Sequence, residues 1–259
     1  MGSRVNAGKR WLRVGVPLVV IALSTAGAAW SPRFDLALTS GTWSAPGSVS
    51  SGLLLWYDTS EIGSMALTPR LRYWFDKSGQ AQHAQVSVGP FQPYPTSSAG
   101  VSGLQFSGGG VQLPFSIPLE PMTLMFVSRQ ASEGVSNPLV GSSTRTSGVS
   151  LESGRLRFYS NGVSSGLSSA RTVSGLTITT VRTAAGAADG VQYNGGAEIP
   201  FSVTTSESVN LIGGNFLASE MRYFSGTIME VVIWGRSLSS SELQAAHRAV
   251  GAKWGISVP

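Results

Sequence analysis

Cysteine is absent from all 259 residues, which excludes a disulfide framework, a thiol nucleophile and a thiolate metal site. Histidine is almost as scarce. Only His83, in a polar loop, and His247, in the last helix, are present, and no Gly-x-Ser-x-Gly elbow accompanies either, so a Ser-His-acid site lacks its parts. Their plain readings are a hydrogen-bonded loop residue and a helix-surface residue. Gly108-Gly109-Gly110 has no following Lys or helix, so it does not cradle a phosphate, and no cofactor is expected. Charge is sparse at 12%, and residues 1–33 contain no acid at all, only Arg4, Lys9, Arg10, Arg13 and Arg33. The net charge of +5 therefore sits wholly at one end, and the body beyond it is formally neutral. Without a basic stripe along that body, nucleic acid is not an expected partner.

What is present is apolar and β-forming. Ten Phe, seven Trp and six Tyr, with many Val, Leu and Ile, supply a large core, and 32 Gly interrupt the apolar runs at short intervals. Leu53–Tyr57 is a short continuous apolar run of the kind that forms a central strand buried on both faces. Further strands are expected at 71–75, 103–106, 111–113, 122–127, 138–141, 148–151, 156–159, 176–183 and 209–212, and the strongest at Gly226–Trp234. Asp76-Lys77-Ser78-Gly79 reads as a tight loop, and Asn194-Gly195 reads as a type I′ turn closing a hairpin. The spacing of roughly ten residues between strands points to a sandwich. One helix closes the chain: Ser239 and Glu242 form a capping box, and Leu243, Ala246, Val250 and Trp254 follow at helical spacing.

Ahead of the body lies an export-like segment, basic at its start and apolar from Val14 to Leu23, followed by small residues and Trp30. Three readings stay open for it. It is a signal peptide cleaved after Ala28, an uncleaved anchor with residues 14–30 in a bilayer and Trp30 at its interface, or an arm packed against other subunits of a multi-copy assembly. The residues that would anchor or assemble the chain are Arg10, Trp11, Arg13, Val14, Leu18, Val19, Val20, Ile21, Leu23 and Trp30. Residues 36–51 are uncharged and rich in Ser, Gly and Pro, the composition of a linker. The expected organisation is thus a segment 1–35, a linker 36–51 and a domain 52–259.

The end of the chain carries a recognisable order: Asn210-Leu-Ile-Gly-Gly214, Phe224-Ser-Gly226, Ile228-Met-Glu230-Val-Val-Ile-Trp234, Gly235-Arg236, Glu242 and Lys253-Trp-Gly255. With Leu54-Leu-Trp-Tyr-Asp58, Trp74-Phe-Asp76 and Leu104-Gln-Phe-Ser-Gly108, it resembles the laminin G-like, concanavalin A-like lectin/glucanase superfamily. The resemblance implies an all-β fold, a two-sheet antiparallel jelly-roll sandwich with a short C-terminal helix. Similar domains occur in phage virion proteins and bacterial surface proteins. Relatives that cleave glycans carry clustered carboxylates on one strand. Here Asp58 and Glu61 are separated by a strand end and Glu230 stands alone on its strand, so the expectation is that the chain is no enzyme.

The same resemblance raises calcium, for which Asp58, Asp76 and Asp189 are the weak candidates, isolated from one another and with Asp76 and Asp189 suited to turns. Glycan binding needs rim aromatics beside polar groups, and Tyr94, Phe216 and Tyr223 fall in candidate loops. The same three rings equally suit capping of the sandwich ends. The functional expectation is a structural or adhesive virion protein, a phage decoration, spike or tail component, attached to other subunits or to a membrane through residues 1–35. The alternative is an exported or membrane-anchored, lectin-like protein of the bacterial cell envelope that binds surface glycan.

Overall fold

A computed structural model describes residues 43–259 apart from 61–64, 68–70, 89–90, 99–100, 132–136, 153–154, 162, 167–174, 185–188 and 218–219. The expected anchor residues from Arg10 to Trp30 lie outside the described residues.

The described chain is mostly strand. A 3₁₀ turn at Pro46–Ser48 precedes β1 (Leu53–Asp58), β2 (Met65–Leu67), β3 (Leu71–Trp74), β4 (Ala84–Val88), β5 (Tyr94–Ser98), β6 (Val101–Ser107) and β7 (Gly110–Pro118). There follow β8 (Met122–Gln130), β9 (Asn137–Gly141), β10 (Gly148–Glu152), β11 (Arg155–Ser160), β12 (Val163–Gly166), β13 (Leu176–Thr183), β14 (Asp189–Tyr193) and β15 (Ile199–Phe201). The chain ends with β16 (Ser208–Ile212), β17 (Gly214–Leu217), β18 (Glu220–Tyr223), β19 (Ser225–Trp234) and the helix α1 (Ser240–Trp254).

These strands form two large antiparallel sheets, as the jelly-roll expectation requires. One has nine strands in the order β12-β11-β10-β9-β16-β7-β4-β3-β2, and the other has eight, β15-β14-β13-β8-β19-β6-β5 with β1 also on β19. Their facing sides bury one core that includes Trp74, Tyr57, Phe106, Phe126, Phe158 and Phe224. Tyr57 stacks on Trp74 with ring centroids 5.1 Å apart, while Phe224 meets Phe106 edge-on at 6.2 Å. Each fully buried side chain of this size stabilises by about 1.5–3 kcal/mol.

A second apolar cluster lies on the opposite side of the eight-stranded sheet, beneath α1. Trp56, Met125, Val127, Ile178, Val232 and Trp234 project from the strands into Leu243, Ala246, Val250 and Trp254 of the helix. This second layer is why β1, β8 and β19 read as continuous apolar runs: both faces of each are covered. The helix starts at the expected capping box, with Ser239 accepting from the Glu242 N–H and Glu242 accepting from the Ser239 N–H.

Four expectations are altered. β1 is buried on both faces but, among the described residues, pairs only with β19; its other edge is closed by the 76–78 loop, through Trp56 N–H to Asp76, Lys77 N–H to Trp56 C=O and Ser78 hydroxyl to Leu54 C=O. The Asn194-Gly195 turn has the positive φ of both residues, 53° and 70°, that type I′ demands, yet the ladder closes further out at Val191 and Ile199. His247 is buried rather than on the helix surface, with Nε2 at 2.7 Å from the Thr180 hydroxyl. Residues 43–51, expected as linker, pack on the body: Gly47 lies so close to the helix that a Cβ there would stand 2.4 Å from the Ala245 carbonyl carbon.

Candidate functional site

Asp58, at the end of β1, and Glu230, on β19, are direct cross-strand partners, and both project to the helix side along with Trp56 and Val232. The chain segments that meet here are 174 residues apart at Trp56 and Glu230, whose indole N–H donates to Oε1 at 2.7 Å. Glu230 Oε2 accepts from the Trp254 indole N–H at 2.6 Å, and Lys253 Nζ donates to Oε1. The last turn of α1 places Lys253 and Trp254 over the pair because its capping box and its apolar stripe set the helix on the sheet. Lys253 also donates to Asp58 Oδ2 at 3.0 Å, and Lys77 donates to the same oxygen at 2.9 Å, while the Ser60 N–H donates to Oδ1 at 2.7 Å.

Two carboxylates and the Lys77 ammonium are therefore buried together, and Lys253 reaches them from the surface. Burial pushes the Glu230 carboxyl up, against the pull of Lys253 and with the Asp58 charge adding to it. Burial also acts on Asp58, but Lys253, the Ser60 N–H and Lys77 outweigh it and hold that carboxyl below its ordinary value. The two environments thus push the carboxylates in opposite directions. Glu230 is alone on its strand, as expected, but it has a carboxylate partner across the ladder. Its partner comes from the other end of the sequence, which strand-by-strand reading cannot see.

Above this group is an open cleft of about 480 Å³ bordered by Trp43, Pro46, Trp56, Asp58, Lys77 and Lys253. Asp58 borders the cleft, and Glu230 is sealed beneath with no exposure. Lys77 Nζ lies 3.7 Å from the centroid of the Trp43 ring and 4.7 Å from that of Trp56, and Lys253 Nζ lies 5.3 Å from Trp56 and 5.6 Å from Trp254. Cations between aromatic faces hold the rings in fixed planes. Trp43 remains 43% exposed, so one side of its ring is free to meet a ligand. Sequence reasoning missed Trp43, Lys77 and Lys253; a lone Trp in a Ser/Gly-rich stretch was the one available signal.

The three Asp residues expected as calcium candidates do not converge. Asp76 accepts from the Trp56 and Ser78 N–H groups on Oδ1 and from the Gln82 N–H and the Ser78 hydroxyl on Oδ2, which makes it the organiser of its loop. Asp189 accepts from the Ala184 and Val203 N–H groups, and Asp58 is held in its ion pairs. No cluster of three or more His, Asp or Glu suited to a metal occurs among the described residues. His83 accepts the Asp76 N–H on Nδ1 at 3.1 Å, a loop role as expected. Glu61 lies outside the described residues.

The expected glycan aromatics are on strands rather than loops, and they fall in two places. Tyr94 is on the edge strand β5, opposite Gln105 of β6, and is 43% exposed. Phe216 and Tyr223 share one face of the β17–β18 hairpin, where Phe216 N–H donates to Ser142 C=O and anchors the hairpin to the nine-stranded sheet. Both are half-buried, and burial raises the Tyr223 hydroxyl pKa.

No family model matches the chain, so the laminin G likeness has no support of that kind, and no curated protein matches it either. Solved structures do match. Domain 4 of AbnA, an extracellular arabinanase from Geobacillus stearothermophilus solved with arabinotriose, is 13% identical with a TM-score of 0.54, covering 75% of this chain and 98% of that one. A Trypanosoma rangeli sialidase mutant displaying trans-sialidase activity is 16% identical with a TM-score of 0.49, over 80% of this chain and 34% of that chain. The binding domain of Paraclostridial Mosquitocidal Protein 1 is 11% identical with a TM-score of 0.49, over 80% and 56%. The chain spans about a third of the sialidase's length.

The fold is a β-sandwich compatible with the concanavalin-like class and shared with domains of glycan-acting proteins. The likeness to the arabinanase domain also corrects the expectation that the chain is no enzyme, because a domain of this fold occurs within a glycan-acting enzyme.

Proposed function

We propose that the chain is a carbohydrate-binding protein, its sandwich displayed outward by the N-terminal segment as an adhesive or decorating component of a virion. The observation that carries the binding reading is the half-exposed Trp43 ring at the mouth of a cleft that the exposed Ser60 and Lys253 also border. An aromatic plane stacks on the apolar face of a sugar ring, and a hydroxyl and an ammonium beside it pair with sugar hydroxyls. The Lys77 ammonium behind the ring keeps the platform rigid before ligand arrives, which lowers the ordering cost of binding. Domain 4 of the arabinanase, solved with arabinotriose, has this fold; the step from fold to ligand is analogy.

Display on a particle is supported by the basic, apolar segment ahead of a charge-neutral body, which separates attachment from recognition along the chain. A second reading, the bacterial cell envelope, is favoured by the uncharged run at 14–30, long enough to enter a bilayer. The test uses the full-length chain on an array of neutral and acidic oligosaccharides that includes arabinotriose. Saturable binding that Trp43→Ala weakens at least tenfold supports the reading, and an array with no bound glycan sinks it. Mass spectrometry of purified particles against membrane fractions separates the two locations.

A further inference from the structure

The helix-side face of the eight-stranded sheet continues past the cleft into a part that α1 does not cover. There a single cross-strand row runs Tyr94, Gln105, Thr227, Arg129, in register from β5 through β6 and β19 to β8. Its orientation is set by Val101 and Leu176, which pack into the apolar layer under the helix and lie on the same face as this row. The Thr227 hydroxyl donates to Gln105 Oε1 at 3.0 Å, which fixes the amide, while the buried Arg129 Nε has no hydrogen-bond partner. Two of the three exposed large apolar side chains of the described residues stand at this edge, Tyr94 at 43% and Phe91 at 54%, with Phe91 against Gly108.

The strand that borders the cleft meets the strand that carries the row. Thr59 donates its N–H to Met229 C=O and its hydroxyl to Ser102 C=O, so the end of β1 runs directly onto the start of β6. Gly103 lies between Ser102 and the row, and its missing side chain lets Thr227 pack directly over it, since a Cβ there would come 2.4 Å from Thr227 Cγ2. From Ser102 to Gln105 is about 10 Å along the strand.

We infer that this row is a second aromatic subsite of the cleft at Trp43, so that the ligand is an extended glycan chain lying along the sheet face and not a single terminal sugar. The inference rests on the glycan-binding reading. An aromatic platform at each end, with the amide of Gln105 and the hydroxyl of Thr227 beside the second and the guanidinium of Arg129 at the far end of the row, matches a chain of alternating apolar ring faces and hydroxyl edges. The buried Arg129 Nε is costly without an acceptor, and a sugar hydroxyl supplies one. Pro95 takes a donor out of the edge strand, which disfavours a strand from a second copy as occupant.

The experiment is calorimetry of the full-length chain with linear arabino-oligosaccharides, or the best array ligand class, from disaccharide to octasaccharide. Affinity is expected to rise with length, with Tyr94→Ala lowering the long-chain affinity roughly tenfold and leaving the disaccharide unchanged, whereas Trp43→Ala weakens both. Short and long ligands bound equally, or long-chain binding untouched by Tyr94→Ala, overturns the inference while glycan binding stands. No binding at any length overturns both. Light scattering completes the test, because a concentration-dependent dimer that Tyr94→Ala abolishes would assign the face to a second copy and overturn the inference.

Discussion

Along β19, the half from Glu230 to Trp234 is sealed on its helix side by α1 and the 3₁₀ turn, while the half from Ser225 to Ile228 carries Thr227 on a face left open beside Tyr94. At the sealed end every polar group is matched: Glu230 takes two indole N–H groups and Lys253, and Asp58 takes two ammonium groups and a backbone N–H. At the open end the groups are looser, and the Arg129 Nε is unmatched. Complete pairing at the first end offsets the cost of burying charge, whereas the buried Arg129 Nε at the other end is left without an acceptor.

The largest effect expected from this contrast is at the sealed end. Glu230→Ala leaves Lys253 and two indole N–H groups without their acceptor and should destabilise the protein by about 4 kcal/mol, read from the denaturation midpoint. A loss under about 1 kcal/mol would show that the sealed end is no different from the open one.

Acid should act next, and on the same end. Burial lowers the His247 pKa from 6.5 to about 4, so the unfolded chain binds a proton there before the folded one does. This contribution is intact above pH 6.5 and is lost as pH falls toward 4, up to about 3 kcal/mol, and His247→Gln should flatten that slope. Gly47→Ala should cost about 2 kcal/mol, since φ is +62° and the new Cβ meets the helix backbone; thermal melting checks it. Removing the helix cap with Ser239→Ala should cost about 1 kcal/mol by the same measurement. Tyr94→Ala, at the open end, should change stability by less than about 0.5 kcal/mol, and a larger loss would make that ring part of the core.

Much of the framework was legible in residue order. The run Gly226–Trp234, the capping box at Ser239 and the periodic Leu243, Ala246, Val250 and Trp254 each became the expected element, because hydrophobic period and cap chemistry are local. The edge strand β5 was missed because Tyr94-Pro95-Thr96-Ser97-Ser98 has turn composition, and only pairing with β6 makes it a strand. Trp43 was missed for a related reason: it sits among Ser, Gly and Pro, and its role comes from the Lys77 ammonium that the 76–78 loop carries to it. Glu230 was read as solitary since nothing local signals a partner on β1.

By itself the sequence determined the all-β class, the terminal helix, the neutral body and the basic apolar lead, since composition, period and charge position are properties of order along the chain. The tertiary structure alone decided that Asp58 and Glu230 share Lys253, that Trp43 stands at the mouth of a cleft and that Tyr94 lines up with Arg129 across four strands. Sheet register brings such residues together, and register is settled by which faces the whole sandwich can bury.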